Sequence, residues 1–438
     1  MLEKLSLIAM KSKLDRRTKF TSLAHLVNNE MLLGCYLELK RNKAVGVDGV
    51  TVEEFGTNLN GNVSKLVDEM KSKSWRPQPV RRVYIPKPGK SEKRPLGIPS
   101  TQDKLVQMAV KKILENIFES EFLDCSHGFR PNRSCHTAIK RLNECMMNRP
   151  VNFVVEVDIR RFFDNVSHYW LQRCLEEKIS DPNLVWIVRK LLKAGVMTDG
   201  GWEPSSVGTP QGAIVSPILS NIYLHYVLDL WFEKVFKGSS RNFMQLIRYA
   251  DDFIVAFESR QDAERFTQAL RGRFSKFGIE VAEEKTRLIE MGRRKWKLWK
   301  QGNGERCGTF NFLGFTHYAA TSRAGYFMAG HKTSKENLRR KLREMKDWLK
   351  SVRSVASFSD WRPTLHAKLI GHYNYFGVSN NMRCLRQYYV KTVSLLFKWL
   401  NRRSQKKSFS WLQYMEHLQR FPLPQPQIKV RLFELRTA

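Results

Sequence analysis

Polar and apolar positions along this chain change their period several times. Within residues 1–40, HLVNNEMLLGCYLELKRNK repeats apolar residues every three or four positions, the spacing of an amphipathic helix. A Gly-rich turn, GVDGVT (46–51), follows. RRVYIPKP (81–88) reads as a strand ended by prolines. TQDKLVQMAVKKILENIFESEF (101–122) returns to helical spacing, with Thr101 as the expected N-cap. VNFVVEVDI (151–159) is β-branched and predicts a strand. GAIVSPILSNIYLHYVLDLWFEKV (212–235) opens as a turn and continues as a helix apolar on most faces, hence a buried one. FIVAF (253–257) is a strand, SRQDAERFTQALRGRFSKFG a helix closed by Gly278, and FNFLGFTHY (310–318) one short strand. Beyond about residue 331 no strand pattern remains. NLRRKLREMKDWLKSV, PTLHAKLIGHYNYFG and LRQYYVKTVSLLFKWLNRRS are all helical in period, and no internal repeat is visible.

One stretch breaks the pattern. RYADDFIVAF (248–257) sets Asp251 and Asp252 side by side in an apolar run. Two carboxylates ~5 Å apart repel by roughly 3 kcal/mol at an effective dielectric of ~20, so something positive is expected beside them. Strand-like residues on both sides place the pair at the tip of a hairpin, and a third acid, Asp158, ends the strand VNFVVEVDI. Three such carboxylates could converge on a pair of Mg²⁺ ions, which favour carboxylates plus substrate phosphate oxygens. Two metals ~4 Å apart can activate an attacking hydroxyl and stabilise a leaving phosphate. The rival reading is a solvated turn, where Asp is common.

Charge narrows the partners. With 75 Lys+Arg against 42 Asp+Glu the chain carries a net +33, and 42% hydrophobic content argues for a folded protein. Residues 331–438 hold 23 Lys+Arg and 6 Asp+Glu, about half of the excess. Trp348, Trp361, Tyr373, Tyr375, Tyr388, Tyr389, Trp399 and Trp411 are interleaved there, a mixture suited to phosphates and unstacked bases of RNA. An anionic membrane is the weaker candidate, since no amphipathic Lys-rich anchor is seen and no apolar run approaches ~20 residues. The N-terminus lacks the apolar core of a signal peptide. A soluble protein of the bacterial cytoplasm or nucleoid is therefore expected. The seven cysteines form no C-x-x-C pair, which argues against zinc and against a disulfide framework.

Several blocks together resemble a known family. Tyr249-Ala250-Asp251-Asp252 is similar to the Y-x-D-D box of reverse transcriptases, VDIRRFFDNV (157–166) to their preceding metal-binding box, and GTPQGAIVSPILSNIYL (208–224) to their P-Q-G box. More narrowly, RRVYIPKPGKSEKRPLGIPSTQDKLVQ (81–107), HGFRPNRSCHTAI (127–139), NFLGF (311–315) and LIGHYNYFGVSNN (369–381) resemble group II intron-encoded reverse transcriptases. The resemblance implies an α+β right-hand fold with an antiparallel palm sheet. It divides the chain into a basic helical extension (1–40), fingers and palm (41–330) and an all-α thumb, or maturase domain (331–438). It implies that Asp158, Asp251 and Asp252 ligate two Mg²⁺ ions, with the Ile159 carbonyl as a further ligand. It implies that Phe163 stacks under the incoming sugar and excludes a 2′-hydroxyl, and that Gln211 and Gly212 meet the nucleotide. Lys87 and Arg94 would hold the triphosphate of a dNTP. Arg130 would contact template or stabilise the fingers, and Lys285 would meet nucleic acid or protonate departing pyrophosphate. The chain departs from the family in having His127 where Tyr is common, a change expected to alter packing rather than activity. It also lacks the paired cysteines of a C-terminal nuclease, so no second-strand cleavage is expected and priming would use an existing DNA end.

The implied function is RNA-directed DNA synthesis joined to intron splicing and mobility. The expected partners are a group II intron RNA, an RNA template, and a DNA primer or target; a second copy of the chain stays open. Two alternatives remain: a domesticated reverse transcriptase in repair or phage defence, and an RNA-binding splicing factor with incidental polymerase activity. The intact acid triad disfavours a pure splicing factor, because three carboxylates repel phosphate.

Overall fold

The computed structural model describes residues 2–86, 93–198, 200–355, 357–403 and 408–432. In chain order the elements are α1 (Leu2–Leu14), α2 (Asn29–Glu38), α3 (Val52–Gly56), α4 (Leu59–Lys71), β1 (Val80–Pro86), β2 (Lys93–Ile98), α5 (Thr101–Phe118) and α6 (Cys135–Asn148). There follow β3 (Phe153–Val157), α7 (Phe162–Asn165), α8 (His168–Glu176), α9 (Pro182–Leu192), β4 (Val196–Thr198), β5 (Gly201–Glu203), α10 (Ser216–Leu224), β6 (Met244–Tyr249), β7 (Asp252–Phe257) and α11 (Arg260–Lys276). The last are β8 (Arg287–Glu290), α12 (Arg293–Lys300), β9 (Phe310–Phe312), β10 (Phe315–Thr321), β11 (Phe327–Thr333), α13 (Lys335–Val352), α14 (Phe358–Phe376), α15 (Met382–Leu400) and α16 (Trp411–Arg420).

Three sheets form, ordered β2-β1-β4-β5, β11-β10-β9 and β6-β7-β3-β8. In the first, β1 and β2 are an antiparallel hairpin with Arg81 opposite Ile98 and Pro86 opposite Lys93. Mixed α and β structure with antiparallel pairs is the fold class expected.

Local chemistry moves some predicted boundaries. Ser100, not Thr101, caps α5: its Oγ accepts the Asp103 N–H at 3.2 Å, while the Thr101 hydroxyl donates to the Val50 carbonyl at 2.8 Å. Residues 310–318 form two strands rather than one, because Leu313 (φ 49°) and Gly314 (φ 81°) both turn left-handed and reverse the chain. A two-residue reversal of this kind needs positive φ, and the apolar Leu313 hid it. The buried helix of 216–224 passes into π-type turns at 225–229 and 232–236. Gly278 closes α11 with φ +73°, as its position predicts.

The chain forms two compact units: 1–138, 157–255 and 259–287 make the first, and 139–156, 256–258 and 288–438 the second. The first buries a ring cluster in which Phe266 meets Trp231, Phe232 and Phe236 at centroid distances of 6.1, 5.8 and 5.3 Å. The second buries Leu365, Leu369, Tyr373, Phe376, Leu385, Tyr388, Leu396, Trp399 and Tyr414 among its helices. Trp361, Tyr373, Tyr388 and Trp399 are thus core residues, whereas Tyr375 and Trp411 stay exposed. Among the described residues no helix is long and apolar enough to cross a membrane.

Leu369 is fully buried and its neighbour Ile370 is 44% exposed. Leu369→Ala is expected to cost about 2–5 kcal/mol, transfer and cavity together, and Ile370→Ala less than about 0.5 kcal/mol. Denaturation midpoints followed by circular dichroism check both.

Candidate active site

β6 turns Met244, Leu246 and Arg248 to the same buried face by strand alternation. Arg248 is fully buried, and all five of its N–H groups are used. Nε donates to Asp229 Oδ1 at 2.8 Å, and one Nη donates to Asp229 Oδ2 at 2.5 Å and Ser126 Oγ at 2.8 Å. The other Nη donates to Asn221 Oδ1 and to the Ala250 carbonyl, both at 3.0 Å. Asp229 is itself fully buried. Asn221 also donates to the Gly128 carbonyl at 2.7 Å.

This network holds the turn between β6 and β7. Ala250 has φ 57°, a conformation costing a non-glycine residue on the order of 1 kcal/mol, and its carbonyl is the one that Arg248 grips. The segment before α6 packs beneath: His127 N–H donates to the Arg248 carbonyl and Arg248 N–H to the Cys125 carbonyl, each at 2.8 Å. A Cβ on Gly128 would stand 2.4 Å from the Ala250 nitrogen, so glycine is required there by contact. The His127 ring pairs through Nδ1 with Thr137 Oγ1 at 2.9 Å.

The acids lie at strand ends of the third sheet. The Asn152 N–H donates to the Phe257 carbonyl at 2.9 Å, and β3 neighbours β7. Asp158 directly follows β3 and Asp251 directly precedes β7, and the Asp158 charge is felt at the Asp251 carboxyl. Asp251 is half-buried and Asp252 exposed. Burial pushes the Asp251 carboxyl above its ordinary range, the Asp158 charge pushes it further, and Arg94 and Arg248 pull against them. Asp158 also has a cation at hand. Its carbonyl accepts the Ala282 N–H at 2.8 Å, which sets the turn 283–285 so that the Lys285 ammonium pairs with the Asp158 carboxylate. Ile159 is buried and bridges Val281.

The P-Q-G loop lies against the same region. Thr209 N–H donates to the Phe163 carbonyl at 2.7 Å and Gly208 N–H to the Val166 carbonyl at 2.8 Å. Gln211 Nε2 donates to Asp164 Oδ1 at 3.3 Å, and the Gln211 carbonyl accepts the Gly97 N–H at 2.6 Å. Gly212 has φ +103° and a Cβ there would meet Leu96 at 2.3 Å; conformation and space both demand glycine. Phe162 is buried and Phe163 half-buried, their rings 5.5 Å apart at 69°.

These acids suit a hard divalent cation in charge. Among the described residues no three His, Cys, Asp or Glu side chains form a ready-made cage. Mg²⁺ does not need one, since it binds through one or two carboxylates and substrate phosphates.

The pattern described as "Reverse transcriptase (RNA-dependent DNA polymerase)" matches residues 85–317, more than half of the chain. The chain belongs to the reverse transcriptase family. It is 32% identical over 325 residues to the "Group II intron-encoded protein LtrA" of Lactococcus lactis subsp. cremoris, covering 61% of this chain and 54% of that protein. It is 35% identical over 257 residues to "Protein YkfC" of Escherichia coli K12, covering 52% of this chain and 67% of that protein. A further relative is "Nuclear intron maturase 4, mitochondrial" of Arabidopsis thaliana, 31% identical over 136 residues, or 30% of this chain and 16% of that protein. The chain thus spans about half the length of LtrA.

In this reverse transcriptase, two of the expected cations pair with acids. Arg130 is turned inward, 7% exposed. It donates to Glu119 at 2.8 and 3.1 Å and to the carbonyls of Leu123 and Ser126 at 2.8 and 2.9 Å. Those bonds engage its donors in bracing the 119–130 segment, in keeping with the second of its two expected roles. Lys285 pairs with the Asp158 carboxylate while about half of its side chain stays exposed. Lys87 lies outside the described residues. The sequence reading missed Arg248, Asp229, Asn221 and Ser126. Its one signal was a lone Asp in an apolar helix and a lone Arg at an inward strand position.

Arg248→Met strands the Asp229 charge in the core and is expected to cost about 3–5 kcal/mol, while adding Asp229→Leu should restore most of that stability. A double-mutant cycle read by thermal denaturation checks it.

Proposed function

We propose that this reverse transcriptase is an RNA-directed DNA polymerase encoded by a group II intron, which also binds the intron RNA to assist splicing and mobility. The observation that carries the reading is that the Asp158 charge reaches the Asp251 carboxyl at the tip braced by Arg248. Asp158, Asp251 and Asp252 would hold two Mg²⁺ ions, with the Ile159 carbonyl able to assist. When bound, that pair supplies activation of the primer 3′-hydroxyl and stabilisation of the leaving pyrophosphate.

The chain's own residues orient the substrate. Phe163, half-buried beside the P-Q-G loop, would lie under the sugar and leave no room for a 2′-hydroxyl. Gln211 and Gly212, tied to β2 through Gly97, would set the nucleotide against the acids. Arg94, whose charge is felt at Asp251, would hold the triphosphate together with Lys87. Lys285 would leave Asp158 on cation binding and so stand near the departing pyrophosphate.

In this reading residues 41–330 are fingers and palm of a right hand and 331–438 the thumb. The basic surface of that segment would hold intron RNA in its active fold, and the RNA would perform the splicing chemistry. The similarity to LtrA and to an intron maturase supports the intron reading over a domesticated enzyme.

Asp251→Asn with Asp252→Asn is expected to cut dNTP incorporation on a primed RNA template by at least about 10²-fold while intron splicing assistance persists. Equal collapse of splicing in a folded variant would refute the separation of the two functions. Phe163→Ala should raise NTP incorporation relative to dNTP in the same assay.

Asp251 also makes a pH prediction. Its folded pKa is raised, so the folded chain holds that proton more tightly than the unfolded chain does. Without Mg²⁺, stability should therefore fall as pH rises from the ordinary carboxylate range through the raised value. Asp251→Asn should raise the melting temperature at neutral pH without Mg²⁺, and Mg²⁺ should stabilise the parent chain more at neutral than at acid pH. Thermal melts across pH, with and without Mg²⁺, read both.

A further inference from the structure

The C-terminal helices enclose a cavity of about 650 Å³ lined by α13, α14 and α15, a volume in the range of small-ligand sites. Arg340, Lys341 and Lys368 stand on its wall. Glu344 accepts from Arg340 at 2.7 Å and from Lys341 at 2.9 Å, so these four groups keep a cationic excess. The Lys368 ammonium lies 5.0 Å over the Trp348 ring. Tyr375 at the rim is 38% exposed.

His372 also lines this cavity and is 6% exposed. Its ring stacks on Tyr388 at 3.6 Å and 12°, and neither ring nitrogen has a hydrogen-bond partner. Buried polar atoms are nearly always paired, so two unpaired ones beside a cavity point to a ligand that pairs them. Burial, and then the Lys341 charge, pull the imidazole pKa down to about 3. At neutral pH the ring therefore offers one donor and one acceptor.

We infer that this cavity binds one unstacked nucleotide of single-stranded RNA, with its phosphates on Arg340, Lys341 and Lys368 and the hydrogen-bonding edge of its base or ribose on His372. A bare anion could accept from only one of the two ring nitrogens, and an apolar ligand would leave the cations unanswered. Unstacked bases and ribose hydroxyls are what proteins read in single-stranded RNA. The inference rests on the RNA-binding reading above and adds the site.

The test is fluorescence anisotropy of the full chain with a labelled single-stranded RNA oligomer across salt concentrations. His372→Phe keeps the stack on Tyr388 and removes both nitrogens. It should weaken binding about tenfold with the slope of log affinity against log salt unchanged. Lys368→Ala should weaken binding and lower the magnitude of that slope by about 0.7, one phosphate contact on a single strand. Melting curves establish folding, and Lys368, being exposed, gives a variant whose result stands alone if His372→Phe unfolds. Parent-like affinity and slope in either folded variant would overturn the site while leaving the RNA-binding reading intact. Failure of the parent chain to bind RNA at all would remove both.

Discussion

The buried pairing of Arg248 with Asp229 is the constraint on which the candidate active site depends. Neither charge is exposed to water, so each is tolerable only because the other is there and the remaining donors are filled. The side-chain bonds of Arg248 reach four different parts of the first unit: the helix 216–224 through Asn221, the turns beyond it through Asp229, the segment before α6 through Ser126, and its own hairpin through the Ala250 carbonyl. The left-handed Ala250, and with it the direction of the two carboxylates that follow, is set from beneath by a side chain that touches no substrate.

Around that brace the site is assembled from short, individually strained pieces. Gly128, Gly208 and Gly212 each sit where a Cβ would strike neighbouring atoms at 2.4, 2.8 and 2.3 Å, so loops approach one another at backbone distance. The acids themselves are held unfavourably. Asp251 is pushed towards its neutral form by burial and by Asp158, and Lys285 covers Asp158. In the proposed reading, such an arrangement would give up stability in the free protein and regain it on cation binding.

The basic C-terminal segment works on a different principle. Its aromatic residues suggested a stacking surface, yet Trp361, Tyr373, Tyr388 and Trp399 fill the core between the helices. What remains outside is mostly charge. Several cations lie on the faces of these rings, Arg353 at 4.7 Å and Arg402 at 5.8 Å from Trp399 and Arg403 at 5.8 Å from Trp361. The buried aromatics therefore support the cationic surface instead of replacing it.

Much was legible from the chain alone. Periodicity located most of the helices and strands, because a buried face imposes a repeat of 3.6 or 2 on the residues that form it. The acid doublet inside an apolar run marked the candidate site, because nothing in a strand by itself stabilises two adjacent carboxylates. The excess of Lys and Arg at the C-terminal end pointed to a polyanion as partner, since charge composition survives any folding. Arg130 shows where such reading stops. Its neighbours in sequence left template contact and bracing both open, and its neighbours in space, Glu119 and two carbonyls, use its donors internally. Arg248 shows the converse: it looked like a strand residue beside the motif, and its partners stand 19, 27 and 122 residues away. Sequence by itself determined which groups exist and which faces are apolar. Only the tertiary structure decided which charges are withdrawn from water and paired, because that depends on which distant segments meet.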